Sequence, residues 1–379
     1  MHIRKWALRL WMPLLAVSIV VVNPASLSAA PSNFNSFGQV NLVSDLPGVA
    51  RFLDPDLVNP WGMAFSATSP IWVADNGTGL ATIYNGGGVK QGLVVSIPSP
   101  TGGQGAPDGQ VFNPNSSNFG GAHFLFSTED GTIAAWSGGT AATLPVDLSP
   151  QGAVFKGLAL ATSGGSSYLY ATDFHNNAID VFNSGFTQVT LTGNFTDPSL
   201  PAGFAPFNIQ AWNGQLYVTY AMQDAQRHDD VPCPGCGFVD VFNTDGTFVQ
   251  RLISMGALNS PWGLAWAPGN FGKFSGDLLV GNFGDGTINA YDPITGAMIG
   301  TLDGTNGMPL VNDGLWGLAF GNGAQGTSTS TLYFTAGLND EADGLFGAIA
   351  TPEPGTLTLL GAGFVSLIGY GWRRGKRSV

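Results

Sequence analysis

The sequence predicts an all-β fold, a six-bladed β-propeller, from three observations. First, a short motif recurs: "NPWGMAF" (59–65), "SPWGLAW" (260–266) and "GLWGLAF" (314–320), with weaker copies in "FKGLAL" (155–160) and "PFNIQAW" (206–212). "GAHFLFS" (121–127) fills the remaining gap. Second, Trp61 and Trp316 lie 255 positions apart, which divides into five intervals of 51 and so into six units. Units of three or four strands at that period are propeller blades. Third, 55 glycines, 25 phenylalanines and 10 tryptophans accompany only 10% charged residues, a composition suited to tightly turned strands.

Each motif is followed by a second strand-like run, such as "PIWVADN", "GSSYLYATD" or "GDLLVGNF". A third follows a turn: "ATIYNGG", "GTIAAWSGG", "NAIDVFNSG", "GFVDVFNTDG", "GTINAYDPITG" and "LFGAIA". Apolar and polar residues alternate with period two in these third runs, as half-buried strands require. Asn-Ser-Gly and Thr-Asp-Gly supply turn chemistry. In the Trp-Gly step, the tryptophan is expected to wedge between neighbouring blades, and the glycine to let the innermost strand approach the crowded axis. "QVNLV", within 37–50, is expected to complete the last blade and close the ring. Residues 89–119 read as a loop-rich part of unit two. The repeat pattern over residues 39–351 resembles NHL-type and gluconolactonase-type six-bladed propellers.

The two ends read as targeting. Arg4, Lys5 and Arg9 precede "LWMPLLAVSIVVV" and the small residues "ASLSAA", a signal-peptide layout with cleavage after Ala29 that implies the Sec translocon as a partner. From Gly355 to Trp372 run 18 uncharged residues, about 27 Å as a helix, followed by Arg373, Arg374, Lys376 and Arg377. A membrane-spanning helix is expected there, with the propeller on the non-cytoplasmic side. Pro352, Glu353 and Pro354 precede it, a triplet that cannot join a helix. Triplet, span and basic tail together resemble the PEP-CTERM sorting signal of Gram-negative bacteria. That resemblance implies recognition by an exosortase, a membrane-embedded cysteine protease, and delivery to the cell surface or matrix. The expected organisation is signal peptide 1–29, linker 30–38, propeller 39–351 and sorting signal 352–379. A propeller with this tail also resembles a family of uncharacterised exported bacterial proteins.

Without its ends the chain is acidic: residues 31–351 hold 24 acidic and 6 basic residues, a net charge of −18. Such a surface has no electrostatic footprint for nucleic acid.

Two sets of residues are candidates for chemistry. The loop "QDAQRHDDVPCPGCG" (223–237) joins His228, Asp229 and Asp230 to a C-x-x-C, Cys233 and Cys236. In an oxidising compartment the cysteines read first as a structural disulfide, with a zinc site or a redox pair as alternatives. The second set recurs at strand ends and so should gather on one face: Asp75, Asn76, Glu129, Asp130, Asp173, His175, Asn282, Asp285, Asn339 and Asp340. Resemblance to gluconolactonase-type propellers implies a channel cation held by oxygens from several blades, and calcium suits such ligands. Turn-stabilising roles are the competing reading. His123, in an apolar run, reads as a core or channel-lining group. No nucleophile-and-base constellation is legible, so no catalytic residue is assigned. The expected function is a non-enzymatic binding or structural module outside the cytoplasm, with a polysaccharide, peptide or matrix partner. The alternative is a metal-dependent, lactonase-like hydrolase. Convergence of three or more oxygens on the axis would favour the enzyme, and aromatic walls the binder.

Overall fold

The computed structural model describes residues 35–352, and these form a six-bladed β-propeller. Strand β1 (Gly38–Ser44) and the short β2 (Phe52–Leu53) precede the first full blade. Blade one is β3 (Pro60–Ala64), β4 (Ile71–Asp75), β5 (Leu80–Tyr84) and β6 (Val95–Ser96). Blade two is β7 (Pro107–Phe112), β8 (Phe124–Thr128), β9 (Thr132–Trp136) and β10 (Thr143–Asp147). Blade three is β11 (Phe155–Ser163), β12 (Ser166–Asp173), β13 (Ala178–Asn183) and β14 (Gln188–Val189). Blade four is β15 (Phe204–Trp212), β16 (Gln215–Met222), β17 (Phe238–Asn243) and β18 (Phe248–Ser254). Blade five is β19 (Pro261–Trp266), β20 (Leu278–Asn282), β21 (Ile288–Tyr291) and β22 (Met298–Thr301). Blade six holds β23 (Leu315–Phe320), β24 (Thr331–Gly337) and β25 (Asp343–Ala350), and β1 adds antiparallel to β25 from Gly38↔Ala350 to Ser44↔Leu345. The N-terminal strand thus closes the ring, as the "QVNLV" pattern suggests.

Blade two differs from the sequence expectation. Its innermost strand is β7, inside the stretch read as loop, and "GAHFLFS" supplies the second strand, β8. The stretch looks like loop because β7 opens on Pro107 and carries Gly109, the latter demanded by close approach to blade three. His123 is exposed just before β8, outside the core and the channel.

The innermost strands are held by glycine. A Cβ on Gly62 would come within 3.0 Å of the Asp108 carbonyl of blade two, and one on Gly109 within 3.0 Å of the Leu158 amide of blade three. Gly157 abuts Asn208 of blade four, Gly263 the Trp316 carbonyl of blade six, and Gly317 the Trp61 carbonyl of blade one. At the sixth equivalent position stands Asn208, which donates from Nδ2 to the Trp262 carbonyl at 2.7 Å. The Thr335 hydroxyl donates to the Trp61 carbonyl at 2.5 Å and accepts from the Gly317 amide at 2.8 Å, fastening blade six to blade one. Between blades, the faces are sealed by fully buried side chains such as Leu279, Leu315 and Phe334, each contributing about 1.5–3 kcal/mol.

Among the described residues no helix is long and apolar enough to cross a membrane. The expected signal peptide and membrane span, with Glu353, Pro354, Arg373, Arg374, Lys376 and Arg377, lie outside the described residues.

The glycine ring makes a direct prediction. Gly62→Val or Gly157→Val should destabilise the propeller by about 3 kcal/mol or more, since neither neighbouring backbone can yield. Gly92→Ala, with open space around it, should change stability by less than about 0.5 kcal/mol. Denaturant unfolding of the three variants checks both.

Candidate functional site at the propeller axis

Each innermost strand carries one extra residue relative to its partner, a β-bulge at the Trp-Gly step or its equivalent. A bulge re-aims the inserted side chain. The six equivalent residues are Trp61, Asp108, Lys156, Phe207, Trp262 and Trp316. The aromatic members do not wedge between blades, as expected from sequence, but meet one another. Trp61 stacks on Trp316 with centroids 3.5 Å apart, and Trp262 meets both edge-on at 5.9 and 5.7 Å. Phe283 stacks on Trp316 at 4.0 Å, and Phe207 and Phe174 complete a buried plug. Two of the three indoles are anchored by hydrogen bonds: Trp262 Nε1 donates to the Lys156 carbonyl at 2.9 Å and Trp316 Nε1 to Asn59 Oδ1 at 3.0 Å.

The plug divides the axis into two ends. At the polar end, where the innermost strands begin, the exception to the aromatic rule becomes the centre of a network. The Lys156 side chain is 1% exposed and its ammonium lies 5.2 Å from the Trp61 ring centroid. It donates to Glu129 Oε1 and, at 3.0 Å, to Asp229 Oδ1. Burial disfavours its charge, but the two carboxylates outweigh that and hold its pKa above the usual lysine value. His228 Nδ1 lies 3.0 Å from the same Asp229 oxygen. The hydrogen bond from His228, helped by Lys156 against partial burial, pulls the Asp229 carboxyl well below the usual range, and Asp229 raises the His228 pKa. Asn76 Nδ2 donates to Glu129 Oε2 at 2.8 Å. Asn59 donates to Asn76 Oδ1 at 3.3 Å and to Glu341 Oε2 at 2.6 Å. Burial pushes Glu341 up to about 7.

Of the residues singled out from sequence, Asn76, Glu129, His228 and Asp229 join this network. Most of the others occupy the same end of their strands but serve as local hooks. Asp75 accepts from the Thr82 amide, Asp130 from Ala106, and Asp173 from Val154 and Asn176. Asn282 donates to the Ala257 carbonyl, Asp285 accepts from the Thr287 amide, and Asn339 bonds Asp343. Asp340 stands beside Asn339 in the short turn Leu338–Glu341. His175 is half-buried with its ring beside Gly152. Asp230 sits against Ser260, where burial raises it to about 6. Cys233 and Cys236 are joined, with an S–S distance of 2.01 Å, beside the network rather than in it. Sequence reasoning missed Lys156, Asn59, Asp108 and Glu341. A signal existed for two of them: "FKGLAL" and "APDGQV" put a charge where the other repeats put an aromatic.

Glu129, His228 and Asp229 bring ligand-type atoms within 4.8 Å of one another. The donor types would suit a divalent ion, but the Lys156 ammonium already lies against both carboxylates, and its charge opposes a second cation there. At the other end the axis widens into a cavity of about 440 Å³, walled by Met63, Leu158, Ile209, Leu264 and Leu318 and floored by Trp262. Beside its mouth Trp212 stacks on Trp266 at 4.6 Å and stays 47% exposed.

The molecule is thus a plugged propeller with a lysine-centred polar network at one end of its axis and a separate funnel at the other. Comparison with known proteins places it further. Residues 350–377 match the PEP-CTERM protein-sorting motif, which implies export and membrane-associated processing by an exosortase. The chain belongs to a family that includes two proteins of Acanthamoeba polyphaga mimivirus, uncharacterized proteins R648 and L690. They are 34% and 33% identical over 329 residues, spanning 82% of this chain and 80% and 85% of theirs. In fold it is similar to a glucose dehydrogenase, at 14% identity and a TM-score of 0.52, over 83% of this chain and 99% of that one. It is also similar to a catalytically inactive virginiamycin B lyase from Staphylococcus aureus with quinupristin, at 13% identity and a TM-score of 0.50, over 84% and 99%. At these identities the likeness concerns the fold alone.

Two substitutions probe the network. Glu129→Gln leaves a buried ammonium with a weaker partner set and should cost about 3 kcal/mol in denaturant unfolding. Glu341 is an acid whose folded pKa, about 7, is raised above the ordinary glutamate value of 4.5. The folded state therefore holds a proton that the unfolded state has lost, and this group's contribution falls as pH rises through that window. Glu341→Gln should melt above wild type at pH 8 and converge with it near pH 4.5, as melting curves at the two pH values would show.

Proposed function

We propose that this protein is an exported, surface-directed binding module with no catalytic role, released or transferred by exosortase cleavage near its Pro-Glu-Pro triplet. The observation that carries this reading is the state of the axis. Stacked aromatics fill the centre, and the Lys156 ammonium already occupies the space between the two carboxylates on which a lactonase-like cation would depend. The metal-dependent hydrolase is accordingly the weaker reading. A propeller face with an exposed, rigidly stacked tryptophan supports contact with a polysaccharide, because Trp212 offers a flat apolar platform whose ring is already held by Trp266.

The test is made on the full-length chain reconstituted in lipid nanodiscs. Chelation with EGTA and re-addition of calcium should each shift the melting temperature by less than about 1 °C, because a ligand specific to the folded state would raise it. Retention on at least one insoluble polysaccharide (cellulose, chitin or curdlan) is expected, and Trp212→Ala should abolish it. One equivalent of tightly held calcium with a clear chelation shift would restore the hydrolase. Failure to bind any of the three would remove the polysaccharide reading.

A further inference from the structure

The apolar funnel has a feature that the binding-module reading does not use. Its walls are mainly Met63, Leu158, Ile209, Leu264 and Leu318, with Asn208 and Gln210 as further polar side chains, and none of the residues lining it is charged. Among these side chains stands Gln110, in the register position that the other blades fill with Met, Leu or Ile. Gln110 is 7% exposed, and neither its Oε1 nor its Nε2 has a hydrogen-bond partner. Leaving a buried amide unpaired costs about 1–3 kcal/mol per group. The neighbouring Asn208 is different: its amide is committed to the Trp262 carbonyl.

We propose that the funnel is a binding site for an uncharged lipophilic molecule carrying a carboxamide or lactam. Gln110 offers one acceptor and two donors, and a carboxamide returns the complementary set. The cavity volume lies in the range of small-molecule sites, which pair apolar walls with a few placed polar groups. Anions are excluded by chemistry: no cation lines the funnel, and burying an unpaired charge there is costly. The funnel also faces the side from which the sorting motif departs. Ala350, at the end of β25, is opposite Thr331, and Leu332 is opposite Phe320 at the end of β23. The sorting motif, which begins at residue 350, therefore leaves the propeller at the end where the funnel opens. This site shares no residue with the Trp212 platform and does not rest on the polysaccharide reading.

The experiment titrates octanamide into the full-length chain in nanodiscs, with empty nanodiscs as the control, read by calorimetry and by tryptophan fluorescence, since Trp262 floors the cavity. Saturable binding of one equivalent is expected. Gln110→Met, of nearly the same shape, should weaken it at least tenfold, and N,N-dimethyloctanamide, which cannot donate, should bind the wild type correspondingly worse. Ile209→Trp should abolish binding by filling the funnel. If that variant does not fold, Gln110→Met with the dimethyl probe decides alone. No saturable signal above empty nanodiscs would overturn the proposal. So would equal affinity in wild type and Gln110→Met, which would mark partition without recognition.

Discussion

The whole molecule depends on one steric constraint: six innermost strands must come to backbone contact around a single axis. Five glycines make this possible, each facing the main chain of the next blade. At the sixth position the side chain is not removed but turned into a fastener, Asn208 bonding the carbonyl that a clash would otherwise involve. The contact has a consequence one residue earlier in the chain. With the glycine facing the neighbouring blade, the bulge turns the preceding residue toward the axis. Trp61, Phe207, Trp262 and Trp316 then have nowhere to pack except against one another, and the plug follows from the ring.

The same geometry explains why the two charged members of the set are not errors of packing. Asp108 and Lys156 occupy adjacent bulges. Burial pushes the Asp108 carboxyl well above its usual range, against the bonds it accepts from the Ser127 hydroxyl and the Gly109 amide. Lys156 keeps its charge because Glu129 and Asp229 reach it from two blades, and a buried ion is tolerated when it is paired and fully bonded. Trp61 supplies a further attractive face. The result ties loops of blades one, two, four and six to one ammonium through Asn76, Glu129, Asp229 and Glu341. An acidic propeller thus spends one of its few cations at the centre of its polar end.

The sequence revealed most of the fold because repetition repeats its constraints. Trp-Gly recurs three times intact, and period-two alternation marks the third strand of each blade. It failed at blade two, where Asp108-Gly109 hides the motif and proline and glycine imitate a loop. It also assigned the tryptophans to the blade interfaces, because spacing alone does not reveal a bulge. The site was half legible. His228, Asp229, Asn76 and Glu129 stood out as polar residues at strand ends. Their organiser, Lys156, did not, because a lysine in an apolar strand is usually read as a solvated edge. Asp75, Asp173 and Asn282 share the same strand-end position, and only coordinates separate a residue that hooks its own turn from one that reaches across blades.

The plug also determines what the likeness to enzyme propellers can carry. A substrate bound across an open channel could touch groups from every blade at once. Here Trp61, Trp262 and Trp316 interpose a layer of stacked rings between the polar network and the apolar funnel. A ligand in the funnel meets Gln110 and aliphatic walls, while Lys156, Glu129 and His228 lie on the far side of the rings. Chemistry at one end therefore has no direct access to a molecule bound at the other. Coupling between them would have to pass through the indoles: Trp262 and Trp316 are bonded to Lys156 and Asn59 on the polar side, and Trp262 also lines the floor of the funnel. Trp262 is the shortest such connection: its Nε1 bonds the Lys156 carbonyl, its own carbonyl is held by Asn208, and the residue lines the funnel.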